Sequence, residues 1–333
     1  MTPKDAIQLL KSEIVQVVGC TEPAAIAFAF RTLVRHLLAP PSPQSFRAEL
    51  RISKDAFRNA STAVVPKLKV PGILAAASAG MASRANDFNV FDDFDLRCAR
   101  AFMKNADWLT IVPVRRRGLF VHAQLPGLRT GITLEGRHNH IEKLVVFGKD
   151  CTPKSKAPPA PPTLDEIFQL AQARHPKLEA LALDFITRQV PAEKGHPLKE
   201  QIARRISGRM AGYSYPVMTL TGSGNQGIFI GLPYRQLYDE HGPGILPALV
   251  FSLLAQIHLS ARHKRLSSQC GLATKAGPAL AAGLAFAKGA SRAEIRRLLR
   301  QIPSRLADLP CEGAEPACGD KARRAFCAIF NQL

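Results

Sequence analysis

Gly19-Cys20-Thr21-Glu22-Pro23 is the stretch on which the reading of this chain turns. Ahead of it, Ala6, Leu9, Leu10, Ile14 and Val17 recur at three- and four-residue steps, the apolar face of an amphipathic helix. Behind it, residues 24–38 are rich in Ala, Phe and Leu and contain no breaker, so a second helix is expected. Thr21 reads as the N-cap, Glu22 suits the positive end of the helix, and Pro23 fits the first turn. Cys20 is therefore expected just ahead of a helix N-terminus. Unpaired N–H groups and the helix dipole there favour a thiolate, a candidate base or nucleophile. A small buried residue in a helix-helix turn satisfies the same pattern.

Moving outward, the first half mixes periods. Residues 39–43, Ala-Pro-Pro-Ser-Pro, form a loop, and Phe46 to Ile52 alternates as a strand. Pro71-Gly72 opens a short Ala-rich helix, and Phe94 to Asp107 reads as another. From Leu109 the period becomes two. Strands are expected at Leu109–Val114, Leu119–Leu125, Gly131–Glu135 and Ile141–Phe147, with Arg137-His138-Asn139-His140 as the last hairpin turn. Cys151 to Pro162 holds five prolines and two lysines and reads as a linker. Beyond it helices are expected at 164–174, 178–188, 198–210, 244–259, 272–287, 292–301 and 321–331. The expected fold class is α+β. Residues 1–150 would form opening helices with a mixed sheet, and residues 163–333 a helical domain. If the opening helices pack on the second half, Cys20 meets the later cysteines.

Composition bounds the function. The chain has 333 residues, 46% of them hydrophobic and 21% charged, enough for two real cores. The longest apolar run, Ile245 to Leu259, is broken by Ser252, Gln256 and His258, so no membrane span is expected. Lys4, Asp5, Lys11 and Glu13 do not make a secretory signal. Seven scattered cysteines in a long chain point to a reducing compartment, the cytoplasm, and to thiols used as ligands or catalysts. The net charge of +19 is spread along the chain, with clusters at Arg115-Arg116-Arg117, Arg204-Arg205 and Arg296-Arg297. Aromatics are only 7%, too few for base-stacking platforms. A basic surface around an anion-binding site is favoured over nucleic-acid binding. A non-catalytic basic binding protein is the alternative from another class, and a homodimer is compatible with either.

Three cysteines crowd the end of the chain. Cys270 lies in Leu266-Ser267-Ser268-Gln269-Cys270-Gly271, and Cys311 and Cys318 flank a Gly- and Pro-containing loop. Such loops bend closely around sulfur. Three thiolates suit a four-iron cluster with one iron left open, or a zinc ion with an open position. Six residues between two cysteines is not a zinc-finger spacing, and ordinary core and loop cysteines fit as well. Cys98, Cys151 and Cys327 have no such context and read as structural. Gly222-Ser223-Gly224-Asn225-Gln226-Gly227 follows the apolar run Val217–Leu220. Its glycines and amide side chains make either a cradle for a carboxylate or a flexible turn; its glycine spacing is not that of a dinucleotide fingerprint. His138 and His140 are either metal or substrate contacts or exposed turn residues.

Gly-Cys-Thr-Glu-Pro, Gly-Ser-Gly-Asn-Gln-Gly, Leu-Ser-x-x-Cys-Gly and a final Cys-x6-Cys loop occur together, in this order, over residues 19–318. The chain thereby resembles the L-cysteine desulfidase family (the UPF0597 group), related to the iron-sulfur L-serine dehydratases. The resemblance implies an oxygen-sensitive [4Fe-4S] cluster and no pyridoxal phosphate. By motif position Cys270, Cys311 and Cys318 match the cluster ligands, and Cys20 matches the proton acceptor. The implied reaction is β-elimination: L-cysteine to pyruvate, ammonia and sulfide, or L-serine to pyruvate and ammonia. Thr21, Glu22, Ser223, Gly224, Asn225 and Gln226 are the expected substrate contacts. The match has departures. Glu312 and Glu315 stand where the family's final loop carries Asp and Lys, and Arg58-Asn59 stands for its Lys-Asn pair. His138-Asn139-His140 stands for its His-Thr-Asn turn.

Overall fold

The computed structural model describes residues 1–38, 41–154, 157–191, 193, 195–263 and 266–330. Ala39 and Pro40 of the expected first loop, Ser155 and Lys156 of the expected linker, and Asn331 at the end of the last expected helix lie outside the described residues.

The chain opens with α1 (Pro3–Glu13), closed at its start by a Thr2–Asp5 capping box. It then runs through β1 (Gln16–Val18) into α2 (Thr21–Val34). The apolar periodicity of the opening segment thus breaks at Glu13. Val17 belongs to a strand, and β1 pairs antiparallel with β10 (Pro216–Met218), with Val17 opposite Val217. Consecutive β-branched residues at 17 and 18 prefer this pleat to a further helical turn. Gly19 makes the corner at φ +76°, with Pro66 where a Cβ would need to be.

Next come β2 (Ala48–Ser53), α3 (Lys54–Thr62), the small hairpin β3 (Val64–Val65) and β4 (Val70–Pro71), α4 (Ile73–Ala82) and α5 (Leu96–Lys104). β5 (Leu109–Val114), β6 (Phe120–Leu125), β7 (Thr130–Glu135), β8 (Ile141–Val146) and β9 (Lys149–Asp150) follow. The expected strands are thus present, and their sheet is mixed. Its order is β5-β2-β6-β7-β8-β9, with β2 parallel to β5 and the other neighbours antiparallel. β6 buries Val121, Ala123 and Leu125 and β7 buries Ile132 and Leu134, the alternation of a sheet covered on one face. α2 packs on these two strands and on α4. Small residues allow the close approach: a Cβ on Gly80 would stand 2.4 Å from Ala27 O.

Residues 151–154 and 157–162 carry no helix or strand. The second half contains α6 (Leu164–Gln172), α7 (Pro176–Thr187), α8 (Leu198–Met210), β10, α9 (Gly224–His241) and α10 (Leu246–His263). A π-helical turn (Leu272–Ala276) leads into α11 (Gly277–Ala287), followed by α12 (Arg292–Arg305) and α13 (Cys318–Phe330). The fold is α+β with a helical C-terminal half. One helical stretch, 224–263, is long and apolar enough to cross a membrane, yet 78% of its most apolar window is buried within the fold. α1 packs against α7 and α10, so with the β1–β10 pair the opening of the chain is seated on the second half. That seating carries Cys20 toward the later cysteines.

Candidate functional site

Seven segments of the chain line one cavity of about 100 Å³. The start of α2 contributes Cys20, Thr21 and Glu22; α3 gives Asn59 and the β7–β8 turn gives His138. α8 and the start of α9 contribute Arg209, Ser223, Asn225 and Gln226. The last two loops contribute Cys270, Cys311 and Cys318. Cys98, Cys151 and Cys327 are not among the lining residues.

Cys20 is the N-cap of α2, one position earlier than the Thr21 expected from sequence, and its side chain makes no capping bond. Its Sγ donates instead to Glu22 Oε2 at 3.1 Å. Thr21 Oγ1 donates to the same oxygen at 3.1 Å. Asn59 Nδ2 donates to Glu22 Oε1 at 3.1 Å, and His138 Nε2 stands 3.5 Å from that oxygen, an ion-pair distance. His138 and Glu22 are both buried. Burial pushes the Cys20 thiol well above its ordinary value, the Glu22 charge pushes the same way, and Arg209 opposes them. The thiolate expected from the helix end is therefore overturned: one partial dipole is outweighed by desolvation plus a neighbouring carboxylate. Burial also resists ionisation of Glu22, but His138, Cys20 and Asn59 more than offset it and hold the carboxyl well below its usual range. The resting pair is a thiol beside a carboxylate. His140 turns the other way, toward Glu142 at 3.3 Å.

Thr221 and Gly222 both take left-handed backbone, at φ +51° and +80°, between β10 and α9. Thr221 Oγ1 accepts from Gln256 Nε2 at 3.0 Å and Ser260 Oγ at 3.1 Å, which holds the non-glycine residue there. The expected glycine-rich loop is thus a two-residue corner followed by the first turn of α9, with Ser223 as N-cap accepting from Gln226 N. Ser223, Asn225 and Gln226 of this turn line the cavity. Gln256 also holds Gln226 Oε1. A Cβ on Gly271 would lie 2.3 Å from Gln226 Nε2, so Gly271 leaves room for that amide beside Cys270.

The cysteine loops brace each other. Cys270 N donates to Leu309 O at 2.9 Å and Cys311 N to Ser268 O at 2.8 Å, around a Gln269–Pro310 bridge. Cys318 begins α13, and its Sγ lies 3.6 Å from Gly313 O. α3, which the sequence reading did not resolve as a helix, supports both loops. Thr62 Oγ1 accepts from Ala314 N at 2.9 Å, and Arg58 Nη2 donates to Ser267 O at 3.2 Å. Burial raises the Cys270 thiol and pushes Cys318 up to about 11. Among the described residues no three His, Cys, Asp or Glu side chains gather closely enough to hold a single metal ion. Three free thiols around one cavity instead fit a body in which each sulfur binds a separate iron. Cys270, Cys311 and Cys318 would hold such a cluster as thiolates.

Two further lining residues went unremarked in the sequence. Lys275 is buried in the π-turn after Cys270. Arg209 is 2% exposed, and its Nη1 donates to Asn225 Oδ1 at 2.8 Å.

The model of the serine dehydratase alpha chain family matches residues 174–330. A UPF0597 protein of Oleidesulfovibrio alaskensis is 27% identical over 368 residues, covering 97% of this chain and 85% of its own length. One from Thermosipho melanesiensis is 27% identical over 340 residues, covering 91% and 82%. One from Caldanaerobacter subterraneus is 23% identical over 359 residues, covering 94% and 83%. Residues 174–330 are thus similar to the serine dehydratase alpha chain family, and nearly the whole chain is similar to these UPF0597 proteins.

Proposed function

We propose that the protein is an iron-sulfur-dependent lyase acting on a small L-amino acid. L-cysteine with water would give pyruvate, ammonia and sulfide; L-serine would give pyruvate and ammonia. The observation that carries this reading is the convergence of Cys270, Cys311 and Cys318 on the cavity that also holds the Cys20 thiol. Cys270, Cys311 and Cys318 would hold a [4Fe-4S] cluster, which would supply Lewis acidity for departure of the β-substituent.

The chain's own residues do the rest. Cys20 passes its proton to Glu22 Oε2, and the resulting thiolate accepts the substrate α-proton. The first transfer runs uphill, because the pair rests as thiol and carboxylate; the nearby Arg209 charge lowers that cost. Asn59 and His138 fix the carboxylate that receives the proton. The first turn of α9, with Ser223, Asn225 and Gln226, cradles the substrate carboxylate. A cavity of about 100 Å³ suits a substrate of a few heavy atoms.

The high positive charge fits the same reading. Lys54, Arg115, Arg116 and Arg117 line a surface groove with Leu266 and Ser267, which also line the candidate site. A basic rim beside the site would raise the local concentration of anionic groups. Seven free thiols and an oxygen-sensitive group suit the cytoplasm.

The test is pyruvate release from a panel of L-amino acids, under argon, after reconstitution with iron and sulfide. Release from L-cysteine or L-serine, absent in Cys20→Ala, is expected. A reconstituted protein that releases pyruvate from none of the panel overturns the reading.

A further inference from the structure

Among the described residues, Arg209 is a buried cation with no ion pair. Of its fork, Nη1 is taken by Asn225 Oδ1. Nε and Nη2, the two donors along one edge, are buried with no hydrogen-bond acceptor. The guanidinium also lies against the start of α9: a Cβ on Gly224, the first residue of that 18-residue helix, would stand 2.6 Å from Arg209 Cζ. That helix end is itself positive, through unpaired N–H groups and the aligned peptide dipoles. Two positive elements thus lie against each other at the lining of the cavity. Each is unfavourable there unless an anion joins them. The unpaired Nε/Nη2 edge is a side-on pair matched to the two oxygens of one carboxylate.

We propose that Arg209 is the carboxylate anchor of the site, its Nε and Nη2 each donating to one oxygen of the substrate α-carboxylate while the first turn of α9 closes on the same group. Asn225 is the positioning residue that sets the plane of the guanidinium. The ligand class is a small α-substituted monocarboxylate; amides and amines of the same size are excluded because they leave the cation unpaired. The assignment of that carboxylate to the substrate rests on the lyase reading above; the demand for a carboxylate does not.

The experiment is calorimetric titration of the anaerobic holoenzyme with L-serine, L-alanine and pyruvate, and with L-serinamide and L-alaninamide. Wild type is expected to bind the three carboxylates and neither amide. Arg209→Gln should weaken the carboxylates by about 30-fold or more, the range of a charge-assisted pair. Asn225→Asp guards against a folding defect in the first variant. It gives Arg209 a carboxylate from its own chain and puts an acid in the first turn of α9, so it should melt no lower than wild type and still lose carboxylate binding. Amides that bind as tightly as acids overturn the anchor. So does affinity within about three-fold of wild type in both variants. Arg209-dependent carboxylate binding without pyruvate release would keep the anchor and remove the lyase. Pyruvate release with an unchanged KM in Arg209→Gln would keep the lyase and remove the anchor.

Discussion

Cys20 Sγ and Glu22 Oε2 stand 3.1 Å apart, both buried, with the thiol donating to the carboxylate. Two residues of one helical start thus hold a proton between them, and its resting place is the sulfur. Because the thiol pKa is raised, little thiolate exists at neutral pH, and alkylation of Cys20 by iodoacetamide should be slow and speed up with rising pH. Glu22→Gln removes a like charge, so the alkylation profile should move to lower pH. Peptide mapping by mass spectrometry reads this out, with the exposed Cys151 as internal reference. A profile that stays put or moves upward in Glu22→Gln would break the proposed coupling.

His138 is the first of the groups that hold the Glu22 carboxyl down against burial. A carboxyl depressed in the folded state contributes stability above its unfolded pKa, and loses it as pH falls through the folded pKa. In His138→Asn the folded pKa rises toward the unfolded value, so this stabilisation shrinks and its loss is complete at a higher pH than in wild type. Melting temperature against pH checks this. The same variant should lower kcat by about 10²- to 10⁴-fold, the span of general acid-base contributions, with little change in KM. Equal loss in kcat and KM would make His138 a substrate contact instead.

Thr62 lies in α3 and touches neither Cys20 nor the cysteine thiols by any hydrogen bond, yet its Oγ1 holds Ala314 N between Cys311 and Cys318. Thr62→Ala should cost about 1 kcal/mol of stability, one lost hydrogen bond. Iron retention should fall by about 10- to 100-fold, as when outer-shell support of a metal site is removed. Iron loss measured against time in a chelator gives the answer. Unchanged retention would mean the loop is fixed by other contacts.

Gly227 has no room for a side chain: a Cβ there would stand 1.9 Å from Met218 O, a backbone atom of β10. Gly227→Ala should destabilise by about 1–3 kcal/mol or more, since neither strand nor helix can yield easily. Gly244→Ala, with open space around the added atom, should stay within about 0.5 kcal/mol. Urea midpoints for the pair test how tightly α9 is pressed on β10.

The sheet strands were legible because period-two runs between turn residues admit one reading, and β5 to β8 lie within a residue of where they were expected. α3 and α9 were not. Lys54–Thr62 reads as polar loop because only Ala56, Asn59 and Ala60 are buried. The start of α9 looks like loop because three glycines recur in six residues. There Gly224 and Gly227 serve close packing on Arg209 and Met218, and only Gly222 makes a turn. Arg209 carried a signal in the sequence. It lies three and seven residues after the buried Ile206 and Ile202, on the apolar stripe of α8, while Arg204 projects into solvent. A cation on a buried stripe asks for a partner, and among the described residues no acidic side chain pairs with Arg209. His138 and His140 could not be told apart, because a hairpin turn has no inside until the rest of the fold surrounds it.

The most direct measurement is iron and acid-labile sulfide per chain after anaerobic reconstitution, for wild type, Cys20→Ala, Cys270→Ser, Cys311→Ser and Cys318→Ser. The account predicts about four of each in wild type and in Cys20→Ala, with sharp loss in each of the three serine variants, and pyruvate release lost in Cys20→Ala alone among the iron-loaded proteins. A wild type that takes up no iron, or serine variants that keep it, would contradict the account.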